Sequence, residues 1–200
     1  MKKVLRVDSG INKANSVTRN LTDDFIRQWK ENHPDDIITV RDVIDPLIPH
    51  IDETIVAGFF TPPEHHSPKT QEVTQLSDEL IGEILEADVI VLGAPVYNLG
   101  IPSTLKSYID HIVRVGKTFN YTEKGPQGFV EGKKLYIITA RGGLSDPDQD
   151  VHANYLKQIF GFLGISEIQF FQAQGLAFGE ESKESAVQNV KSSIRKMTAA

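Results

Sequence analysis

The chain has 200 residues, 40% hydrophobic and 24% charged, which suits one globular α/β domain able to bury a sizeable core. A net charge of −6 without any Lys/Arg cluster argues against a polyanionic partner such as nucleic acid. There is no cysteine, which excludes disulfides, thiolate metal sites and thiol redox chemistry, so any electron transfer must rely on a bound group.

In chain order, Met1 to Asp8 returns to charge after few apolar residues, too short for a signal segment. Nothing later approaches a membrane span, and a cytoplasmic protein is expected. Lys3 to Ser9 reads as a first strand, followed by a polar turn at Gly10 to Asn15. From Ser16 a helix carries Val17, Leu21, Phe25 and Trp29 at a spacing of four. Ile37 to Val43 is a second strand. Asp45 to Pro68 shows no clear periodicity and is expected as a long loop.

A helix follows over about Lys69 to Glu86, with Val73, Leu76, Leu80 and Ile84 on one face. Asp88 to Gly93 is continuously apolar, as in a parallel strand covered on both sides. Ser103 to Val115 reads as a helix and Thr118 to Val130 as a hairpin or excursion. Lys134 to Ala140 and Glu167 to Ala173 are strands, with helices around Tyr155 to Leu163 and Ser182 to Met197. This alternation predicts a doubly wound five-stranded parallel sheet with helices on both faces, one domain over residues 1–200. It does not separate a flavodoxin-like from a Rossmann winding, which differ in strand order.

Ligands in such sheets bind beyond the carboxyl ends of the strands, so the loops there carry the chemistry. In the first, Ser16 and Thr18 straddle a helix N-terminus that attracts phosphate, although Ser16 also serves simply as a cap. The loop has neither the dinucleotide glycine fingerprint nor a P-loop, so a single-phosphate ligand is favoured over a dinucleotide. The second loop sets Tyr97-Asn98 between Pro95 and Pro102, a stiff backbone with groups for the face and edge of a planar heterocycle. The same residues are also ordinary turn formers. In the third, Gly142-Gly143 allow close backbone approach to a ligand, or a tight turn. Adjacent His65-His66 lack the partner spacing of a metal site, and no metal is expected.

The run Ala94-Pro95-Val96-Tyr97-Asn98-Leu99-Gly100-Ile101-Pro102-Ser103-Thr104-Leu105-Lys106-Ser107-Tyr108-Ile109-Asp110 resembles the signature of the FMN-dependent NADH azoreductases. These are also called FMN-dependent NADH:quinone oxidoreductases. The resemblance continues through Gly116-Lys117-Thr118-Phe119, Tyr121-Thr122-Glu123, Gly125-Pro126, Gly128 and Gly132-Lys133-Lys134. It resumes at Arg141-Gly142-Gly143 and Gly161-Phe162-Leu163-Gly164-Ile165, and so spans nearly the whole chain.

The resemblance implies a flavodoxin-like homodimer with one noncovalent FMN per subunit and NADH as co-substrate. It places the phosphate at Ser9 or Gly10 and at Ser16, Val17 and Thr18. Pro95, Val96, Tyr97, Asn98 and Leu99 would wrap the ring and ribityl chain, with Ala140, Arg141, Gly142 and Gly143 closing over the pyrimidine side. Family members often carry Ser where this chain has Gly10 and Ala140. The implied acceptors are quinones and aromatic azo compounds, reduced in a ping-pong cycle by hydride carried on flavin N5, with no side chain as catalyst. Phe119, Tyr121 and Phe162 match positions near the substrate pocket, and Phe59 and Phe60 are placed to reach the pocket of a partner subunit. Phe162 as plain core, and Phe59-Phe60 as a local cluster, are the alternatives. A flavodoxin-type electron carrier without a small-molecule pocket is the rival function, and a flavin-free regulatory module a second.

Overall fold

The computed structural model describes residues 1–199, the side chain of Asp148 excepted. Its strands are β1 (Lys3–Asp8), β2 (Ile37–Asp42), β3 (Val89–Gly93), β4 (Phe119–Thr122), β5 (Gly125–Gly128), β6 (Lys134–Ala140) and β7 (Glu167–Ala173). Its helices are α1 (Val17–Asn32), α2 (Glu53–Phe60), α3 (Pro68–Glu86), α4 (Ser103–Ile112), α5 (Val151–Phe162) and α6 (Glu180–Thr198). Five strands form one sheet in the order β2-β1-β3-β6-β7, every pair parallel. That order is the flavodoxin-like winding, which alternation alone left open.

Successive side chains along a strand point to opposite faces, and the core divides accordingly. Val4, Val89, Val91, Tyr136 and Ile138 pack with Leu21, Phe25 and Trp29 of α1 and with Val190 and Ile194 of α6. Leu5, Val7, Ile90, Leu92, Leu135 and Ile137 face the other way, against α3, α4 and α5. The central strand β3 is buried along its whole length, as its unbroken apolar run requires. Among the described residues, no helix is long and apolar enough to cross a membrane.

The segment Asp45 to Pro68, expected as an irregular loop, contains α2 and a short 3-10 turn at Pro63–His65. Asp52 caps α2 by accepting from the Ile55 N–H at 2.8 Å. The helix escaped the periodicity because one of its buried positions is Gly58, which carries no apolar signal. That glycine lies against α3, where an added Cβ would stand 2.4 Å from Thr70 Cγ2. His50 and Pro49 tie the preceding chain to α4, through Ser107 Oγ at 2.8 Å and His111 Nε2 at 3.0 Å.

The excursion after α4 is an antiparallel hairpin of β4 and β5. Its seat on the domain is a backbone contact. A Cβ on Gly128 would stand 2.1 Å from the carbonyl carbon of Leu163, just past α5. Gly128→Ala is therefore expected to lower stability by about 1–3 kcal/mol through overpacking. Gly82→Ala, inside α3 with nothing within 4 Å of the new methyl, should raise it by about 0.5–1 kcal/mol. Urea unfolding midpoints of the two variants check both signs.

Candidate active site

The sheet order reverses between β1 and β3, so their following loops leave toward α1 and α4 on opposite faces and open a crevice. Ser9 clamps the two strand ends at its base. Its N–H and its hydroxyl both donate to the Gly93 carbonyl, at 3.2 and 2.7 Å. The Ser9 hydroxyl is thus committed inside the protein.

Loop one then turns over Asn12, whose side-chain oxygen accepts from the Ala14 and Asn15 N–H groups at 3.2 and 3.0 Å. Ser16 caps α1, accepting from the Arg19 N–H at 3.4 Å, and shares a 3.0 Å hydroxyl–hydroxyl hydrogen bond with Thr18. Thr18 is fully buried, so its hydroxyl supports Ser16. The Val17 and Thr18 N–H groups begin the helix and donate to no protein acceptor among the described residues. Gly10 fits here because a Cβ would come within 2.2 Å of Ser16 Oγ. The Ser16 hydroxyl occupies the space that a side chain at position 10 would need.

One residue missed by sequence reasoning is Arg19. Its Nε donates to the Gly10 carbonyl at 2.7 Å, and its guanidinium grips Asp42 by two bonds of 2.9 and 2.7 Å. Burial opposes ionisation of Asp42, but the hydrogen bonds from Arg19 and from the Ile44 N–H prevail and hold its carboxyl below the usual carboxylate range. Arg6 closes the network on Asp8 at 2.7 Å, and Thr22 donates to the same carboxylate at 2.7 Å. The available signal was a cation in the first turn of a helix, where the dipole disfavours it unless anions lie nearby.

Loop two crosses back over the crevice. The Val96 N–H donates to the Ala140 carbonyl at 3.0 Å, and the Ile11 N–H reaches the Tyr97 hydroxyl at 3.3 Å. Tyr97 and Gly100 exchange two 2.9 Å backbone bonds around Asn98 and Leu99, whose φ angles are +49° and +67°. Positive φ at both central residues is the type I′ turn. Asn tolerates that region and Leu does not, and Leu99 is also 82% exposed.

Loop three is held from behind. Arg141 N–H donates to Ala173, and the Arg141, Gly142 and Gly143 carbonyls accept from Leu176, Ala177 and Gly175 at 3.2, 3.0 and 2.9 Å. The Gly142 and Gly143 N–H groups donate to no protein acceptor among the described residues and lie exposed. Arg141 turns its guanidinium inward to Asp150 at 2.6 Å, so its backbone, not its charge, faces the crevice. The donors left over match one phosphate at loop one and the polar edge of a planar ring between loops two and three. All fourteen positions expected to hold the cofactor lie on these three loops, their strand ends or the first turn of α1.

The five aromatics expected near the substrate lie elsewhere in the chain. Phe119 packs on Phe162 at 4.6 Å between ring centres and meets Tyr121 edge-on at 5.4 Å. Phe59 lies under the Arg114 guanidinium at 4.1 Å, and Arg114 is fixed by Ser77 and Asp78. Phe59, Phe60, Phe119 and Tyr121 line a groove of 410 Å³ with Val113 and Val115, and Phe60 and Tyr121 are 70% and 69% exposed. Val113 follows α4, whose ten residues carry the chain about 15 Å from loop two. Among the described residues, none from the three loops lines the groove.

Residues 2–197 match the profile of a family described by its flavodoxin-like fold. An FMN-dependent NADH:quinone oxidoreductase of Pseudomonas fluorescens is 45% identical over 185 residues, covering 92% of this chain and 93% of that protein. One from a Nostoc species is 42% identical, covering 100% and 99%. Among solved structures, an FMN-dependent NADH-azoreductase from Bacillus anthracis in complex with FMN superposes with a TM-score of 0.88 at 28% identity, covering 99% and 100%. A strand order, a three-loop crevice and near full-length sequence similarity coincide, and the chain belongs to this flavodoxin-like fold family, alongside the FMN-dependent NADH:quinone oxidoreductases.

Proposed function

We propose that the chain, as a single FMN-binding domain, is a cytoplasmic FMN-dependent oxidoreductase that passes hydride from NADH to quinones and reductively cleaves aromatic azo compounds to amines. The observation that carries this is the donor set of the crevice. It offers free N–H groups at the start of α1, a reciprocally bonded turn at Tyr97–Gly100 and two unused glycine N–H groups in loop three. Ser16 and the Val17 and Thr18 amides hold the phosphate, with Thr18 and Arg19 fixing them from beneath. Loop two borders the ring, and the Gly142 and Gly143 amides stand where negative charge on the pyrimidine side is stabilised. When bound, FMN supplies the two-electron chemistry at flavin N5.

The protein acts as a homodimer in this reading. The aromatic groove is lined by no cofactor loop of its own chain, and two exposed rings at its rim give a second copy an apolar contact. Its partner's crevice would complete one acceptor pocket from Phe59, Phe60, Phe119, Tyr121 and Phe162. A flavodoxin-type electron carrier has no need of such a groove.

Loops two and three would hold FMN from two sides, and NADH and the acceptor would then have to use the same remaining side in turn. One NADH reduces a quinone to a quinol, and two are consumed per azo bond cleaved to amines. Initial rates should give parallel double-reciprocal lines as the fixed acceptor concentration is varied. Intersecting lines would require donor and acceptor to bind together. Ser16→Ala should weaken FMN binding roughly tenfold, the scale of one hydrogen bond to a charged group. Thr18→Val should weaken it less, because that hydroxyl acts through Ser16. Titration of apoprotein with FMN, followed by quenching of flavin fluorescence, ranks the two variants.

A further inference from the structure

Arg114 lies two residues past α4 in the wall of the aromatic groove, with 9% of its surface exposed. Its guanidinium carbon stands 4.1 Å from the centre of the Phe59 ring. Among the described residues, its side-chain hydrogen bonds all come from Nη1, which donates to Ser77 Oγ at 3.0 Å and to Asp78 Oδ1 at 2.7 Å. The Ser77 hydroxyl donates in turn to the His111 carbonyl at 2.6 Å, so this end of the group is anchored between α3 and α4. Nε and Nη2 meet no protein acceptor among the described residues, and neither is sealed from solvent. Tying α4 to α3 needs Nη1 alone. The edge left over, Nε with Nη2, is one that can grip a planar acid group by two parallel bonds.

We propose that the groove binds a planar aromatic acid, an aryl carboxylate or sulfonate, with Arg114 holding the acid group and the aromatic side chains holding the ring. The charges around the groove agree in sign. Asp78 is shared between Arg114 and Lys117, at 2.7 and 3.6 Å. Asp110, the carboxylate in the groove wall, is held by Lys106 at 2.5 Å. Three cations thus share two carboxylates in this cluster, and one positive charge is left for an anion. Arg114 is mostly withdrawn from water and stacked on Phe59, so an ion pair at its free edge is screened less than one on an open surface. The stacked, planar fork also fixes the direction of the acid, which a lysine in its place would not do. The groove volume of 410 Å³ lies in the range of small-molecule sites. The proposal rests on the reading of this groove as part of the acceptor pocket, and adds that acceptors bearing an acid group are preferred there.

A naphthoquinone and its sulfonate, each reduced by NADH with the FMN-loaded protein, separate the acid from the ring. Arg114→Met should lower kcat/KM for the sulfonate roughly tenfold relative to that for the neutral quinone, the scale of a hydrogen bond to a charged group. Arg114→Lys keeps the charge without the fork and should fall between. Asp78→Asn removes the competing charge yet keeps an oxygen for Nη1, and should raise the ratio about two- to threefold. It leaves Arg114 in place should Arg114→Met fail to fold, and a ratio taken within one preparation is untouched by loss of folded protein. A ratio unmoved by Arg114→Met, or lowered by Asp78→Asn, would overturn the proposal. Naphthalenesulfonate, which has no carbonyl to reduce, gives a readout without turnover. By calorimetry it should bind the unaltered protein and bind Arg114→Met about tenfold more weakly. Equal binding to both, or none to the unaltered protein, would also overturn the proposal. If the unaltered protein reduces neither quinone, the acceptor reading fails, and this binding comparison alone decides for or against the site.

Discussion

Two adjacent parallel strands whose helices depart to opposite faces create a crevice only if their ends are kept together while their loops diverge. In this chain that condition is met at one carbonyl. The Ser9 amide and hydroxyl both end on Gly93, so β1 and β3 stop at a common level. Loop one starts at Gly10 under the grip of Arg19, and loop two starts at Ala94 under the grip of β6. The Ser9 hydroxyl, one of the groups that the resemblance assigns to phosphate, builds the floor of the crevice in this structure.

The charges around this floor follow the same logic. Arg19 sits in the first turn of α1, where the dipole alone disfavours it. Asp42 and Asp8 offset that, and both strands that supply them end beside the crevice. Burying one member of such a network without the others is strongly destabilising, so the network acts as a unit. Backbone strain is placed with equal economy. Leu99 in the left-handed region costs about 1–2 kcal/mol, and the reciprocal Tyr97–Gly100 bonds hold it there at the mouth of the site.

Much of this was legible in the residues. The unbroken run Val89–Gly93 announced a buried parallel strand, and the four-residue spacing in α1 announced its core face. Strand order was not legible in the periodicity, which reports burial and not neighbours, and came only from the resemblance to the azoreductases. α2 was hidden because Gly58 packs by having no side chain. The three loops were identified from their content, but the division of labour inside them was not. That Ser9, Thr18 and Arg141 turn inward depends on partners far along the chain, namely Gly93, the folded first turn of α1 and Asp150. That the aromatic groove is lined by α2, the end of α4 and the β4 hairpin and by none of the three loops was not revealed by local motifs.

In the proposed homodimer, one catalytic pocket is built from the crevice of one chain and the aromatic groove of the other. Mixed dimers test it most directly. One chain carries Ser16→Ala with Asn98→Ala, damaging the crevice, and the other carries Phe60→Ala with Tyr121→Ala, damaging the groove. Each is nearly inactive alone on this account. After unfolding together and refolding with FMN, random pairing restores one intact pocket in half of the dimers, or about a quarter of the unaltered rate. Recovery to that level supports a pocket shared between chains. A mixture no more active than its components would contradict it.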